Sequence, residues 1–111
     1  MSALPTLGEF EQIVLLAIMR LGDDAYGVTI RSEIAVCTGR EPSPGALYTT
    51  LDRLEDKGLL KSRVGDPSPR RGGRAKRYFA VSASGIKAVA RAQKAYRKLL
   101  EGVQLPGLAH A

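Results

Sequence analysis

The sequence predicts an α+β fold that is mainly α, and two features of the chain support this prediction. Three segments in the first half and one near the end place apolar residues three and four positions apart, which is the spacing of an amphipathic helix. Between them, two short runs rich in β-forming residues flank a segment of Gly, Pro and Arg, a pattern typical of a β-hairpin. At 111 residues the chain has room for one compact core.

The first predicted helix runs from about Leu7 to Leu21 and ends at Gly22. Thr6 and Glu9 have the spacing of a capping box, in which each side chain accepts a hydrogen bond from the other's backbone N–H. Apolar residues surround this helix on almost every side, so two surfaces must cover it. One is the core of the domain. The other is a partner subunit or more of the same chain, and the small size of the domain favours the partner.

The second predicted helix covers residues 25–37, after a turn at Asp23 and Asp24, and Gly39 ends it. The inward-facing residues are Ile30 and Ile34, with Tyr26 as a further candidate. Cys37 is the only cysteine, which excludes an internal disulfide and a zinc site built from cysteines. We expect Cys37 to be a small buried or half-buried residue rather than a redox switch.

The third helix has the clearest terminal signals in the chain. Ser43 is predicted as its N-cap, Pro44 occupies the first helical position, and Gly58 ends the helix. The predicted buried stripe consists of Leu47, Leu51 and Leu54. The opposite face, which is free to contact another molecule, carries Gly45, Tyr48, Thr49, Asp52 and Arg53.

Residues 59–64 and 76–82 are the predicted strands, and residues 65–74 form a long tip between them. Segment 61–77 holds seven basic residues against a single acidic one, Asp66. The basic residues are Lys61, Arg63, Arg70, Arg71, Arg74, Lys76 and Arg77. The sequence therefore predicts a basic hairpin directly after the third helix.

A last helix, capped by Ser82 or Ser84, is predicted to reach about Gly102. Apolar residues recur along it at alternating spacings of three and four, a heptad-like seam with one polar member. The seam consists of Ile86, Val89, Gln93, Tyr96, Leu100 and Val103. We predict a dimer interface formed by Phe10, Val14, Ile86, Val89, Gln93, Tyr96 and Leu100. The predicted boundaries are 1–81 for the domain that contains the first three helices and the hairpin, 82–103 for the dimerisation helix and 104–111 for a flexible tail.

The charge of the chain is unevenly distributed. Residues 1–56 carry 4 basic and 9 acidic residues, a net charge of −5, whereas residues 57–111 carry 13 and 2, a net charge of +11. Such asymmetry suggests a polyanionic partner for one face, either nucleic acid or an anionic membrane surface. Membrane-surface sites usually place apolar anchors beside their basic residues, so nucleic acid is favoured. A basic face that is merely solvated is the remaining alternative.

The order of helix, helix, capped helix and basic hairpin is that of a winged helix-turn-helix, here followed by a C-terminal dimerisation helix. Small residues at the start of the third helix allow its backbone to approach base edges or phosphates of double-stranded DNA. The predicted DNA contacts are Ser43, Gly45, Tyr48, Thr49, Arg53, Arg70, Arg71, Arg74 and Lys76. For two of these residues a role other than DNA contact is also open. Tyr48 is equally suited to packing, and Arg53 could form an ion pair with Asp56 or with groups near Glu55. Tyr26 and Tyr78 are expected in the core rather than in a site.

Three segments of the sequence resemble the PadR family of bacterial transcriptional regulators: Tyr26-Gly27, residues 45–60 and residues 77–85. The middle segment is the most specific, because Leu-Tyr followed by Leu-x-Arg-Leu-Glu and Gly-Leu is the recognition-helix pattern of the family. The resemblance implies a homodimer whose first and last helices form the interface. It also implies that paired recognition helices contact a pseudo-palindromic operator, usually to repress transcription.

The sequence departs from family members that bind flat aromatic drugs through tryptophans at the dimer interface, because it contains no Trp. Its C-terminal part is also a single short helix, as in the shorter branch of the family. Both departures argue against drug sensing, and nothing in the sequence identifies another effector. The sequence also does not identify the operator or the regulated genes.

Other function classes have little support in the sequence. One histidine, no clustered carboxylates and no metal-ligand spacing predict no enzyme activity, no cofactor and no metal. The longest apolar run, residues 13–19, is far shorter than the roughly 20 residues of a membrane helix, and no signal peptide precedes it, so we expect a cytoplasmic protein. The alternatives that we retain are a winged-helix protein-interaction module and an RNA-binding accessory protein.

Overall fold

The computed structural model describes residues 6–65 and 75–106, and within them the chain forms four α-helices, a 3-10 turn and a two-stranded antiparallel sheet. The elements are α1 (Glu9–Leu21), the 3-10 turn (Gly22–Asp24), α2 (Gly27–Thr38), α3 (Pro44–Asp56), β1 (Leu60–Val64), β2 (Arg77–Val81) and α4 (Ala83–Leu100). This is the order of the predicted winged helix-turn-helix with a further helix at its C-terminal end.

The start of α1 differs from the sequence-based prediction. The helix begins at Glu9 with Gly8 as its N-cap, so the side chain that returns to the cap belongs to Glu11. The backbone N–H of Gly8 donates to Glu11 Oε1 at 2.9 Å. The predicted capping box of Thr6 and Glu9 is therefore wrong, because it assumed a helix start two residues earlier.

Glu11 also connects α1 to the end of α3. The ammonium group of Lys57 donates to Glu11 Oε2 at 2.8 Å, and Glu11 is only 8% exposed. Burial raises the pKa of Glu11, but the hydrogen bonds from Lys57 and from the Gly8 N–H hold it below its ordinary value of 4.5. A carboxyl group with a depressed pKa stabilises the fold above its unfolded pKa. That contribution is lost as the pH falls through the folded pKa.

We expect Glu11→Gln to cost about 1 kcal/mol at pH 7 and to weaken the loss of stability below pH 4.5. Thermal unfolding at pH 7 and at pH 3 measures both effects. The matched control is Glu9→Gln. The Glu9 carboxylate pairs with Arg40, but its side chain is 82% exposed, so removing its charge should change the stability little. An acid-induced loss of stability as steep in Glu11→Gln as in the wild type would contradict this role of Glu11.

α2 begins two residues later than predicted. Ala25 and Tyr26 are extended and lie beside β2, where the Phe79 N–H donates to the Ala25 carbonyl at 2.9 Å and Tyr26 pairs with Tyr78. Pairing with a strand requires extended backbone, so it outweighs the helix propensity of Ala25. The C-terminal end follows the prediction, since Gly39 has a left-handed φ of 76°. Cys37, expected to be buried or half-buried, is exposed.

α3 follows the prediction closely. Ser43 Oγ accepts a hydrogen bond from the Ala46 N–H at 3.1 Å, Pro44 opens the helix, and Gly58 adopts a φ of 77° just after it. The leucine stripe is completely buried and consists of Leu47, Leu51 and Leu54. Burial of this stripe leaves the opposite face of α3 pointing to solvent.

The hairpin pairs residues from Leu60 opposite Val81 to Val64 opposite Arg77. Each strand is slightly shorter than predicted. Ser82, rather than Ser84, caps α4, because its Oγ accepts from the Gly85 N–H at 3.0 Å. The same hydroxyl donates to the Gly58 carbonyl at 2.7 Å, which fixes the start of α4 to the end of α3.

The core of the chain uses two residues that the sequence had assigned to a dimer interface. Val14 is 0% and Val89 5% exposed, because α1 and the first turns of α4 pack against each other and against β2. Neither has surface to offer a partner. Of the other predicted interface residues, Phe10 and Gln93 are half-buried, and the exposed ones are Ile86, Tyr96 and Leu100.

Candidate nucleic-acid interface

The solvent-facing side of α3 presents the residues predicted to contact DNA. Gly45, Tyr48, Thr49 and Arg53 are all exposed, and so is the N-cap Ser43. They share one face because the leucine stripe fixes the opposite face in the core. The N-terminal end of a helix carries a partial positive charge, which favours an approaching phosphate.

The first turn of α3 has open space around it. A Cβ built on Gly45 would meet no atom of residues 6–65 and 75–106 within 4 Å. The backbone of α3 is therefore unobstructed at this point, and a groove of a nucleic acid could approach it closely. Arg53 forms no ion pair within residues 6–65 and 75–106, which favours its predicted role in contact over the alternative of pairing with Asp56.

Tyr48 combines packing with exposure. Its phenol group lies against the first turn of α2, where a Cβ on Gly27 would overlap the Tyr48 hydroxyl and lie 2.8 Å from Cζ. Only glycine leaves this space, which gives a physical reason for Gly27 at the start of α2. Tyr48 is still 41% exposed, so its two predicted roles, packing and phosphate contact, are geometrically compatible.

The base of the hairpin contains an aromatic and cationic cluster that the sequence did not reveal. The rings of Tyr26 and Tyr78 meet edge to face with centroids 5.5 Å apart. Lys76 Nζ lies 4.1 Å from the centroid of Tyr26, and Arg63 Cζ lies 4.6 Å from that of Tyr78. These contacts orient two cations at the base of the hairpin. The strand register could have suggested the contact of Arg63 with Tyr78, because these two residues lie directly opposite each other.

The structure also changes the interpretation of the basic hairpin. Lys76 is half-buried on Tyr26, whereas Arg70, Arg71 and Arg74 lie outside the described residues and stay sequence-based predictions. Arg77 points to α3, where Nη1 donates to Asp52 Oδ1 at 3.1 Å and Nη2 donates to Glu55 Oε1. Asp52 was expected to be free for an external contact and is instead paired within the chain.

Two further classes of site can be assessed for residues 6–65 and 75–106. No three His, Cys, Asp or Glu side chains lie close enough together in this part of the chain to hold a metal ion. Within the same residues, no helix has the length and apolar character needed to cross a bilayer.

Comparisons with known proteins place this geometry in a family. A family model described as the transcriptional regulator PadR-like family matches residues 15–91. A transcriptional regulator from Clostridium thermocellum is similar in structure, with a TM-score of 0.67 and 24% identity over 82% of this chain and 85% of that one. A PadR family regulator from Eggerthella lenta has a TM-score of 0.66 and 23% identity over 85% and 81%. The comparison with curated proteins finds no significant match.

A third similar structure supports the winged helix itself. F93 from STIV, a winged-helix DNA-binding protein, has a TM-score of 0.68 and 20% identity over 90% of this chain and 100% of that one. At these identities the solved structures show the fold. The family model covers α2, α3, the hairpin and half of α4, which is well over half of the sequence. The chain therefore belongs to the PadR-like family of transcriptional regulators.

Proposed function

We propose that the protein binds double-stranded DNA sequence-specifically as a homodimer on a pseudo-palindromic operator and that it acts as a transcriptional repressor. The observation that carries the proposal is the exposed, unobstructed face of α3 beside the cationic base of the hairpin. An exposed helix of this kind fits the major groove, and a basic wing fits the phosphate backbone next to it.

The proposed division of roles follows from chemistry. We propose that Thr49 and Arg53 contact base edges, that the backbone around Gly45 approaches base edges or phosphates, and that Ser43 and the Tyr48 hydroxyl contact phosphates. The wing residues Arg70, Arg71, Arg74 and Lys76 would neutralise phosphates, with Arg63 beside them. Residues 1–81 would then form the DNA-binding domain.

The dimer is supported by apolar surface on α1 and α4. The exposed apolar side chains that we assign to this surface are Leu16, Met19, Ile86, Tyr96, Leu100, Val103 and Leu105. A surface of this kind is typical of a site that another protein covers. We propose that a second copy covers it, with residues 82–103 as the dimerisation helix, and that Val14 and Val89 support this surface from beneath.

One experiment tests the function and the dimer together. Wild type, Leu100→Glu and Ala95→Glu are each used to select fragments from random duplex DNA, and their masses are measured by light scattering. Leu100 lies on the exposed apolar side of α4, whereas exposed Ala95 lies off the predicted seam and receives the same charge. We expect Ala95→Glu, like the wild type, to be a dimer that enriches an inverted repeat, with half-sites about 10 base pairs or a multiple apart.

Leu100→Glu should be largely monomeric and should enrich no inverted repeat, because each half-site alone binds weakly. A wild-type mass equal to that of the monomer at micromolar concentration would remove the dimer from the proposal. Salt-insensitive retention without enrichment, or preference for RNA over duplex DNA, would instead support a protein-interaction module or an RNA-binding accessory protein.

A further inference from the structure

Arg77 connects the hairpin to α3 through two carboxylates. It is the first residue of β2, and its guanidinium group donates to Asp52 and to Glu55, one turn apart on α3. Glu55 also accepts a hydrogen bond from Ser62 Oγ of β1 at 2.7 Å. Both strands of the hairpin are thus joined to the helix that carries the candidate base contacts.

The next residue of β2 connects the hairpin to α2. Successive side chains of a strand point to opposite faces, so Tyr78 points away from Arg77 and packs against Tyr26, the N-cap of α2. The beginning of β2 is thereby fixed to both helices of the helix-turn-helix. A hairpin held in this way has a defined angle to α3.

The charge of Arg77 is already balanced within the chain. Its guanidinium group lies between Asp52 and Glu55 and stacks 4.9 Å from the ring centroid of Phe79, and the residue is half-buried. Bringing a DNA phosphate to this group would place it beside two carboxylates, which would repel it. Arg63, by contrast, is exposed and forms no ion pair within the described parts of the chain.

We infer that Arg77 is a positioning residue that fixes the angle between the hairpin and α3, so that wing and helix engage DNA in one register without a contact from Arg77 itself. The inference rests on the proposed DNA-binding function. It separates Arg77 from the other basic residues of segment 61–77, which composition alone places in one group. It also explains why two acidic residues, Asp52 and Glu55, lie beside the proposed DNA-binding face: their carboxylates hold Arg77.

The test compares Arg77→Ala, Asp52→Asn, their double variant and the control Arg63→Ala on the selected operator and on random duplex, at several salt concentrations. For Arg77→Ala we expect the preference for the operator over random DNA to fall about tenfold, with a nearly unchanged salt dependence on random DNA. Asp52→Asn should also lower the preference for the operator, although it removes a negative charge. In the double variant this preference should be little lower than in Arg77→Ala.

The control Arg63→Ala should lower the affinity for both duplexes equally and reduce the salt slope by about one for each phosphate that is no longer neutralised.

Amide hydrogen exchange without DNA supplies a second readout. We expect faster exchange in β1 and β2 of Arg77→Ala, with α1 unchanged, and partial recovery in Arg77→Lys. Equal weakening of operator and random DNA by Arg77→Ala with a reduced salt slope would overturn the inference, and so would unchanged exchange in the hairpin. If the wild type shows no preference for any duplex, the proposed function fails, while the exchange data still decide whether Arg77 holds the hairpin.

Discussion

Thr49→Ala is expected to lower operator affinity by about 2–6 kcal/mol and to leave the affinity for random duplex almost unchanged, since a good base contact is worth about 1–3 kcal/mol and a symmetric dimer makes it twice. Thr49 is exposed on α3, one turn after Gly45 and one turn before Arg53. Titration of both duplexes at several salt concentrations measures this effect.

Two control variants make the result for Thr49 specific. Thr50→Ala removes the same atoms one residue further along α3, but Thr50 is 7% exposed, so we expect a change in stability without a change in sequence preference. Arg71→Ala should weaken operator and random duplex about equally and reduce the salt slope by about one for each phosphate that Arg71 neutralises. If Arg71→Ala altered the sequence preference and Thr49→Ala only the overall affinity, the wing rather than α3 would contact the bases.

Gly85→Ala is expected to destabilise the fold by about 1–3 kcal/mol, despite the higher helix propensity of alanine. A Cβ at this position in α4 would overlap the Leu59 carbonyl oxygen and lie 2.6 Å from Val81 Cγ1. The carbonyl belongs to backbone that is tied to α4 by the hydrogen bond from the Ser82 N–H at 3.0 Å, so it cannot move independently. The midpoint of thermal unfolding should fall by about 4–8 °C for each kcal/mol.

Gly45→Ala is the matched control, because Gly45 occupies the first turn of α3 as Gly85 occupies that of α4. In the part of the chain that the structure describes, a Cβ on Gly45 meets nothing within 4 Å, so this variant should be as stable as the wild type or more stable by no more than about 1 kcal/mol. Equal unfolding midpoints for the two variants would show that α4 does not approach Leu59 as closely as described.

Local signals in the sequence were sufficient for most of the fold. The cap and stripe of α3, the glycine that ends α2, and the exposed face with Thr49 all depend on residues within a few positions of one another. Helix caps and amphipathic spacing act over such distances, so their pattern is visible in one dimension. The resemblance to PadR regulators, which the family model confirms, depended most on the α3 segment, residues 45–60.

One error was local, since α1 begins two residues later than its predicted capping box implied. The other main errors concern contacts between residues far apart in the chain. α2 begins at Gly27 rather than Ala25 because β2, more than fifty residues later, pairs with the extended backbone before it. Val14 and Val89 fit the apolar spacing of a helix equally well if a partner covers them or if the same chain does. Only the packing of α4 on α1 shows that they lie in the core of the chain. Periodicity specifies which face of a helix is apolar but not what covers it.

The same limit applies to charge. Composition predicted a basic hairpin suited to a polyanion, and this prediction needs no tertiary information, since like charges in a short segment are close together in any fold. It could not distinguish Arg77, which two carboxylates of α3 neutralise, from Arg63 and Lys76, which lie on tyrosine rings. Ion pairs and cation–π contacts join side chains whose proximity depends on how the hairpin folds back onto α2 and α3, and that placement exists only in three dimensions.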